Sequence, residues 1–300
     1  MTKGRIVGIK RFEIHDGDGI RTTLFLKGCP LKCKWCHNPE AISSKSQVAY
    51  LKEKCIGCGE CVSVCSAHAH SFFDGKHVYD RNRCVHCGKC VDVCLGDALT
   101  LYGREISPKE ALKLLTEDGI FYNSSGGGVT LSGGEPLQQA DFCMELLKLL
   151  KTEGIHTAID TCGFAGKSDI DKIIDDTDVF LYDIKFYDNK KHIQYTGRTN
   201  KPIIENLKYI DIKGKPVEVR IPLVSTINDD QMEPIGRFLA TLKHIRKVKL
   251  LPYYNFSSSK YAALEMENML PAVETPDDRQ ITDAVGILKS FGLNAISGKE

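Results

Sequence analysis

The chain has 300 residues, 42% of them hydrophobic and 26% charged, the composition of an ordinary globular protein. A formal charge of +1 gives no general attraction to nucleic acid or acidic lipid, and no apolar run approaches the length of a membrane span, so neither is expected as a partner. Thirteen cysteines are an odd count for a disulfide framework, and a chain this long builds a core without staples, so the thiols point to a reducing cytoplasm, that of an anaerobe.

In chain order, short apolar runs alternate with amphipathic stretches, the pattern of parallel β/α units. Thr22 to Lys27 reads as the first strand, and a cysteine-rich segment then interrupts the alternation from Lys52 to Tyr102. Pro108, at a favoured first-turn position, opens a helix to Leu115. Strands follow at Val129 to Ser132, His156 to Thr161, Val179 to Asp183, Val217 to Pro222 and Val248 to Leu251. Helical periodicity covers Gln138 to Thr152, Asp169 to Asp175, Ile203 to Ile210, Asp230 to Leu242 and Asp277 to Phe291. The expected class is α/β, a partial (β/α)6 barrel made by residues 1–51 and 103–300, with an insert at 52–102. In such a barrel, ligand groups gather at the C-terminal strand ends. The first cysteines, Gly133-Gly134-Glu135, Asp160, Asp183 and Arg220 all fall near those ends.

Eleven cysteines form three clusters. Cys29-x3-Cys33-x2-Cys36 offers three thiolates, which hold three irons of a 4Fe–4S cube and leave the fourth open to a reacting ligand. Cys55-x2-Cys58-x2-Cys61-x3-Cys65 and Cys84-x2-Cys87-x2-Cys90-x3-Cys94 repeat each other at an offset of 29 and match the bacterial ferredoxin run. In that run the fourth cysteine serves the neighbouring cluster. The expected ligand sets are therefore Cys55, Cys58, Cys61 with Cys94, and Cys84, Cys87, Cys90 with Cys65. Structural zinc sites pair separate two-cysteine knuckles, unlike four cysteines in eleven residues. Cys143, in FCMELLKLL, reads as a buried helix residue.

The CxxxCxxC spacing, with Trp35 before its last cysteine, resembles the signature of the radical S-adenosylmethionine (SAM) superfamily, whose members cleave SAM reductively at the open iron. FEIHDGDGIRTTLFLKGCPLKCKWCHNPE, SSGGGVTLSGGEPLQQ, YDIKFYD, HIQYTGRTN, LLPYY and SKYAAL together resemble the glycyl-radical-enzyme activases, in the form that carries a two-cluster insert. The resemblance runs nearly end to end. It implies an oxidoreductase with SAM and three 4Fe–4S clusters that takes a hydrogen atom from a glycine Cα of a partner glycyl radical enzyme, with reduced flavodoxin or ferredoxin as electron donor. The alternative is a radical SAM enzyme with auxiliary clusters acting on another peptide or a small molecule.

Site residues carry over by position. Gly133, Gly134 and Glu135 match a motif for the methionine amino group, Glu135 as an acceptor for the ammonium. Lys185, in DIK with Asp183, matches a contact to the SAM carboxylate, and Arg220 a second basic contact there. Asp160 with Asp183 would frame a monovalent cation, since two carboxylates facing an anionic ligand otherwise repel it. Tyr254 can hydrogen-bond a ribose hydroxyl. His15, Asp16 and Arg21 would face the substrate loop. The sequence departs from the family at Asp18 (usually proline), Ser225-Thr226 (Pro-Gly), Tyr254 (histidine) and Ser257 (a nearby glycine).

Overall fold

The computed structural model describes residues 2–270 and 273–298. Strand β1 (Gly4–Glu13) runs antiparallel to β2 (Arg21–Leu26). β3 (Gln47–Tyr50) follows just ahead of the insert, which contributes the hairpin of β4 (His70–Phe73) and β5 (Lys76–Tyr79), and β6 (Leu99–Tyr102), before β7 (Arg104–Ile106) returns to pair with β1. Next come β8 (Gly128–Gly133), β9 (Thr157–Thr161), β10 (Val179–Asp183), β11 (Val217–Leu223), β12 (Ile245–Pro252) and β13 (Ala295–Ser297). The main sheet has the order β13-β12-β11-β10-β9-β8-β2-β1-β7, parallel from β2 to β13.

All six expected strands are present, displaced by at most a few residues, and the sheet adds β1, β7 and β13 to give nine. Helices occupy Pro108–Leu115, Ala140–Thr152, Lys167–Ile173, Lys201–Ile212, Met232–Leu239 and Asp278–Ser290. Gly119–Ser125, Asn189–Thr196 and Ser258–Ala263 are further helices that the sequence reading leaves out. Local chemistry sets several ends. Ser107 and Glu110 form a reciprocal capping box ahead of Pro108–Leu115, and Asp277 with Gln280 forms another before Asp278–Ser290. The parallel strands are buried on both faces, which is why they read as apolar runs. Leu24, Leu131, Ile159, Phe180, Val219 and Leu250 pack against Leu146, Leu150, Ile170, Leu207, Ile235 and Leu288 from the helices. Cys143 lies in that core, fully buried.

The insert and β3 share a small core of Val48, Tyr50, Cys61, Ala69, Tyr79, Cys90, Ala98 and Leu99. The insert's repeat is visible as two four-residue helices, Glu60–Ser63 and Lys89–Asp92, each entered through a left-handed glycine, Gly59 at φ 84° and Gly88 at φ 82°. Antiparallel pairing of β3 with β6 brings the two ends of the segment together. Arg81 anchors it to the barrel, donating to Val48 O at 2.6 Å and Ala263 O at 2.5 Å.

Candidate active site

The parallel strands end at a cavity of about 430 Å³ lined by Cys29, Cys33, Trp35, Cys36, Gly133, Gly134, Asp160, Asp183, Lys185, Arg220 and Tyr254. The cysteine loop leaves β2 and is held by backbone hydrogen bonds, Cys29 N to Ile42 O at 2.9 Å, Lys32 N to Thr196 O at 2.8 Å and Lys34 N to Tyr195 O at 3.0 Å. Trp35 fixes its far side, with ring centroids 5.7 Å from Phe186 and 6.2 Å from Tyr195. Cys29, Cys33 and Cys36 thus line the same cavity. Burial pushes the Cys33 thiol up and the Cys36 thiol up to about 11, whereas a hydrogen bond from the Cys162 thiol holds Cys29 below its ordinary value. Iron ligates the thiolate, so loading the site would release the protons of these thiols. The three cysteines fit a site-differentiated iron–sulfur cube.

The rest of the lining carries charges of both signs. Lys185 Nζ lies 2.7 Å from Asp183 Oδ2. Burial works to lower the Lys185 ammonium pKa, but Asp183 and Cys33 outweigh it and hold it well above the ordinary lysine value. Arg220 Nη1 is 3.6 Å from both Asp160 Oδ2 and Asp16 Oδ1, and its Nη2 donates to His15 O at 2.6 Å. Asp160 accepts from Ser132 Oγ at 2.6 Å. Burial lifts the Asp160 carboxyl to about 7, against the pull of Arg220.

Two expectations need correcting. Glu135 does not line the cavity: it is fully buried, and its carboxylate accepts from Leu137 N at 3.0 Å, Thr161 Oγ1 at 2.6 Å and Cys162 N at 2.8 Å. It caps the short turn Pro136–Gln139 and props the loop after β9, so only its two glycines face the site. Gly133, at φ 109°, is pressed against β2; a Cβ there would stand 2.3 Å from Leu26 O. Arg21 faces no substrate either. It is completely buried, donating to Thr130 Oγ1 at 2.7 Å and Val129 O at 2.6 Å, and burial lowers its pKa to about 10. His15 is exposed and meets the site through its carbonyl, while Asp16 meets it through Arg220.

Sequence reading missed Cys162, which lines the cavity between Cys29 and Glu135. Its position just beyond β9, in Asp160-Thr161-Cys162-Gly163, was the available signal, because ligand groups gather at such ends. The family departures are accommodated singly. Asp18 pairs with Lys247 at 3.0 Å, Ser225 Oγ donates to Gln280 Oε1 at 3.3 Å, Tyr254 stacks on Phe256 at 5.4 Å, and Ser257 is buried ahead of Ser258–Ala263. Thr226 holds φ 63°, a left-handed conformation unusual for a β-branched residue and natural for the glycine the family has there.

In the insert, Cys55, Cys58, Cys61 and Cys94 line one small cavity, and Cys65, Cys84, Cys87 and Cys90 another. Backbone N–H groups already point at the sulfurs, Ala69 to Cys65 Sγ and Ala98 to Cys94 Sγ at 3.2 Å, His86 to Cys84 Sγ at 3.3 Å. All thirteen cysteines are free of disulfides. Among the described residues no helix is long and apolar enough to cross a membrane.

The radical SAM superfamily model matches residues 81–239 and the 4Fe-4S dicluster domain model residues 54–106. The first match leaves out Cys29–Cys36, which the insert separates from the rest of the barrel. The chain is 40% identical to the trans-4-hydroxy-L-proline dehydratase activating enzyme of Clostridioides difficile over 98% of both chains. It is 39% identical to the choline trimethylamine-lyase activating enzyme of Oleidesulfovibrio alaskensis, over 88% of each. A crystal structure of a domain of pyruvate-formate lyase-activating enzyme from Bacteroides vulgatus, 30% identical, superposes with a TM-score of 0.50 over 57% of this chain and 99% of that one. With this barrel, this cysteine loop, a dicluster insert and near-complete alignment to such relatives, the chain belongs to the radical SAM superfamily and, within it, to the activating enzymes of glycyl radical enzymes.

Proposed function

We propose that Cys29, Cys33 and Cys36 hold the cluster at which SAM is cleaved, that the cavity beside them seats SAM, and that the insert holds two further 4Fe–4S clusters on the two cysteine sets. The observation that carries this reading is the convergence, at the ends of the parallel strands, of three cysteines with a paired lysine and arginine. A cluster held by Cys29, Cys33 and Cys36 would supply the one electron that breaks the C5′–S bond of SAM, releasing methionine and allowing hydrogen-atom abstraction from a glycine Cα with 5′-deoxyadenosine as the product. The chain's own residues bind and orient. The Gly133-Gly134 backbone faces the methionine amino group, Lys185 and Arg220 receive the carboxylate, Trp35 packs behind the cysteine loop, and the Tyr254 hydroxyl reaches the ribose. A lysine that turns to the SAM carboxylate frees Asp183, and Asp183 with Asp160 then frames a monovalent cation.

A non-selective radical demands that the target Cα be held close and water be kept out. The apolar side of the cavity, from Leu31, Trp35, Leu251 and Tyr253, serves that exclusion. Reduced flavodoxin or ferredoxin supplies the electron, and the setting is cytoplasmic. The test is anaerobic reconstitution followed by reaction with SAM, reductant and the cognate enzyme. The expected results are about twelve irons for three cubes of four, 5′-deoxyadenosine release, and a glycine-centred doublet in electron paramagnetic resonance (EPR) that disappears when the partner glycine is alanine. Four irons or fewer would remove the insert assignment. SAM cleavage coupled to a small molecule, with no radical on any partner, would replace the activase reading by another radical SAM reaction.

A further inference from the structure

The hairpin of the insert brings together two imidazoles outside the reaction site. Asp74-Gly75 closes it with φ 48° and 70°, the two-residue connection whose twist matches the flanking strands. The register sets His70 opposite Tyr79 and Phe72 opposite His77, so the two histidines are diagonal neighbours on one face. Their rings stack at 5.1 Å, and His70 Nδ1 lies 3.0 Å from His77 Nε2. The same Nε2 is 3.4 Å from Cys61 Sγ. His77 lines the cavity of Cys55, Cys58, Cys61 and Cys94, and His70 lines the other. Tyr50, edge-on at 4.6 Å, fixes the His77 ring from the side.

We propose that His77 donates its Nε2–H to the Cys61 sulfur and so raises the reduction potential of the cluster on Cys55, Cys58, Cys61 and Cys94 above that of its repeat-related neighbour. The inference rests on the two-cluster reading of the insert. An iron-bound thiolate only accepts hydrogen bonds, so a bare Nε2 facing it would set two lone pairs against each other. The tautomer with hydrogen on Nε2 removes that conflict, and His70 Nδ1 then shares the same N–H as a second acceptor. A hydrogen bond to a ligating sulfur stabilises the more negative, reduced cluster. Two backbone donors are matched across the repeat, Ala69 to Cys65 and Ala98 to Cys94, while His86 N–H to Cys84 serves the second set alone. The imidazole is unmatched too: the position 29 residues after His77 is Ile106, and among the described residues no imidazole hydrogen-bonds Cys90. His77 is therefore a positioning residue that makes two otherwise similar clusters unequal, which gives electron flow through the insert a direction.

The test compares full-length reconstituted wild type with His77→Phe, His77→Gln and His70→Phe by EPR-monitored redox titration, after iron and zinc analysis. One auxiliary cluster should become harder to reduce in His77→Phe, fall between the two in His77→Gln, which restores an N–H, and stay at or above wild type in His70→Phe. Wild type labelled with 15N-histidine should show nitrogen coupling to one reduced cluster in pulsed EPR. That measurement decides the matter if His77→Phe fails to assemble. Unchanged potentials in a fully loaded His77→Phe, or no nitrogen coupling in wild type, overturns the inference. Zinc held by Cys61, His70 and His77, whose donor atoms lie within 4.8 Å of one another, overturns it as well. An iron content near four removes the two-cluster reading itself, which the iron analysis identifies separately.

Discussion

Replacing Glu135 with glutamine separates two roles for the last residue of Gly133-Gly134-Glu135. The carboxylate accepts three hydrogen bonds, two of them from Thr161 at the end of β9 and Cys162 just beyond it. Glutamine keeps the shape but turns one terminal oxygen into an NH2. With its oxygen left at Thr161 and Leu137, the NH2 meets the Cys162 N–H, two donors with no acceptor between them. A buried unsatisfied donor costs about 1–3 kcal/mol. Burial also pushes the Glu135 carboxyl above the ordinary range, so glutamine recovers part of a desolvation cost and this figure is an upper bound. The loss falls on Thr161 and Cys162, which line the cavity in which we propose that SAM sits. The SAM-free, iron-loaded variant should melt lower by roughly 2–4 °C per kcal/mol, exchange the Cys162 and Gly163 amides faster, and bind SAM about tenfold more weakly for each 1.4 kcal/mol transmitted. Calorimetry, hydrogen exchange and anaerobic titration read these three. Lost SAM affinity with unchanged melting and unchanged exchange would refute the reasoning, and would mean that the carboxylate touches SAM itself.

Gly163→Ala should damage the same loop from the other side. A Cβ there would lie 1.7 Å from Tyr182 Oη at a φ of +70°, and Tyr182 is fully buried with its hydroxyl donating to Ile203 O at 2.6 Å. Left-handed backbone costs about 1–2 kcal/mol and overpacking about 1–3 kcal/mol, so urea unfolding should show a loss of roughly 2–5 kcal/mol; a loss below about 1 kcal/mol would contradict this packing. Asp160→Asn tests the charged wall through pH. The folded protein raises the Asp160 pKa to about 7, so it favours the protonated form. The stability that Asp160 contributes is full below its unfolded pKa of about 4 and is lost as pH rises through 7. Wild type, referred to Asp160→Asn, should therefore lose stability from about pH 4 to about pH 7 without SAM. A gain over that interval would be the wrong sign.

The strands that position the site were legible because parallel strands buried on both faces read as unbroken apolar runs, and Val179–Asp183 emerged with the ends expected for it. β1 did not, since Gly4–Glu13 mixes two glycines with Arg5, Lys10, Arg11 and Glu13, and much of it stays partly exposed. β7 and β13, three residues each, are too short to carry a period. The hairpin carrying His70 and His77 had a legible turn in Asp74-Gly75, but the flanking cysteines drew the reading of that segment. Motif resemblance located Glu135 without telling which way it points. Its direction follows from a local fact, Pro136 opening a short turn that Glu135 caps.

Charge balance shows why the cavity's polar residues work as pairs. Lys185 neutralises Asp183, Arg220 stands among Asp160, Asp16 and Glu218, and Glu218 also meets Lys247, so each buried ion has a neighbour of opposite sign. In the proposed seat, SAM brings a carboxylate, an ammonium and a sulfonium. There Lys185 would exchange Asp183 for the ligand carboxylate, and the released Asp183 would face positive charge from the ligand or from a cation. Each buried ion leaves one partner as it gains another, which keeps the desolvation cost of binding low. Truncating one member strands its partner as an uncompensated buried charge. The loss in any single variant therefore measures the pair, and only a double-mutant cycle apportions it between the two side chains.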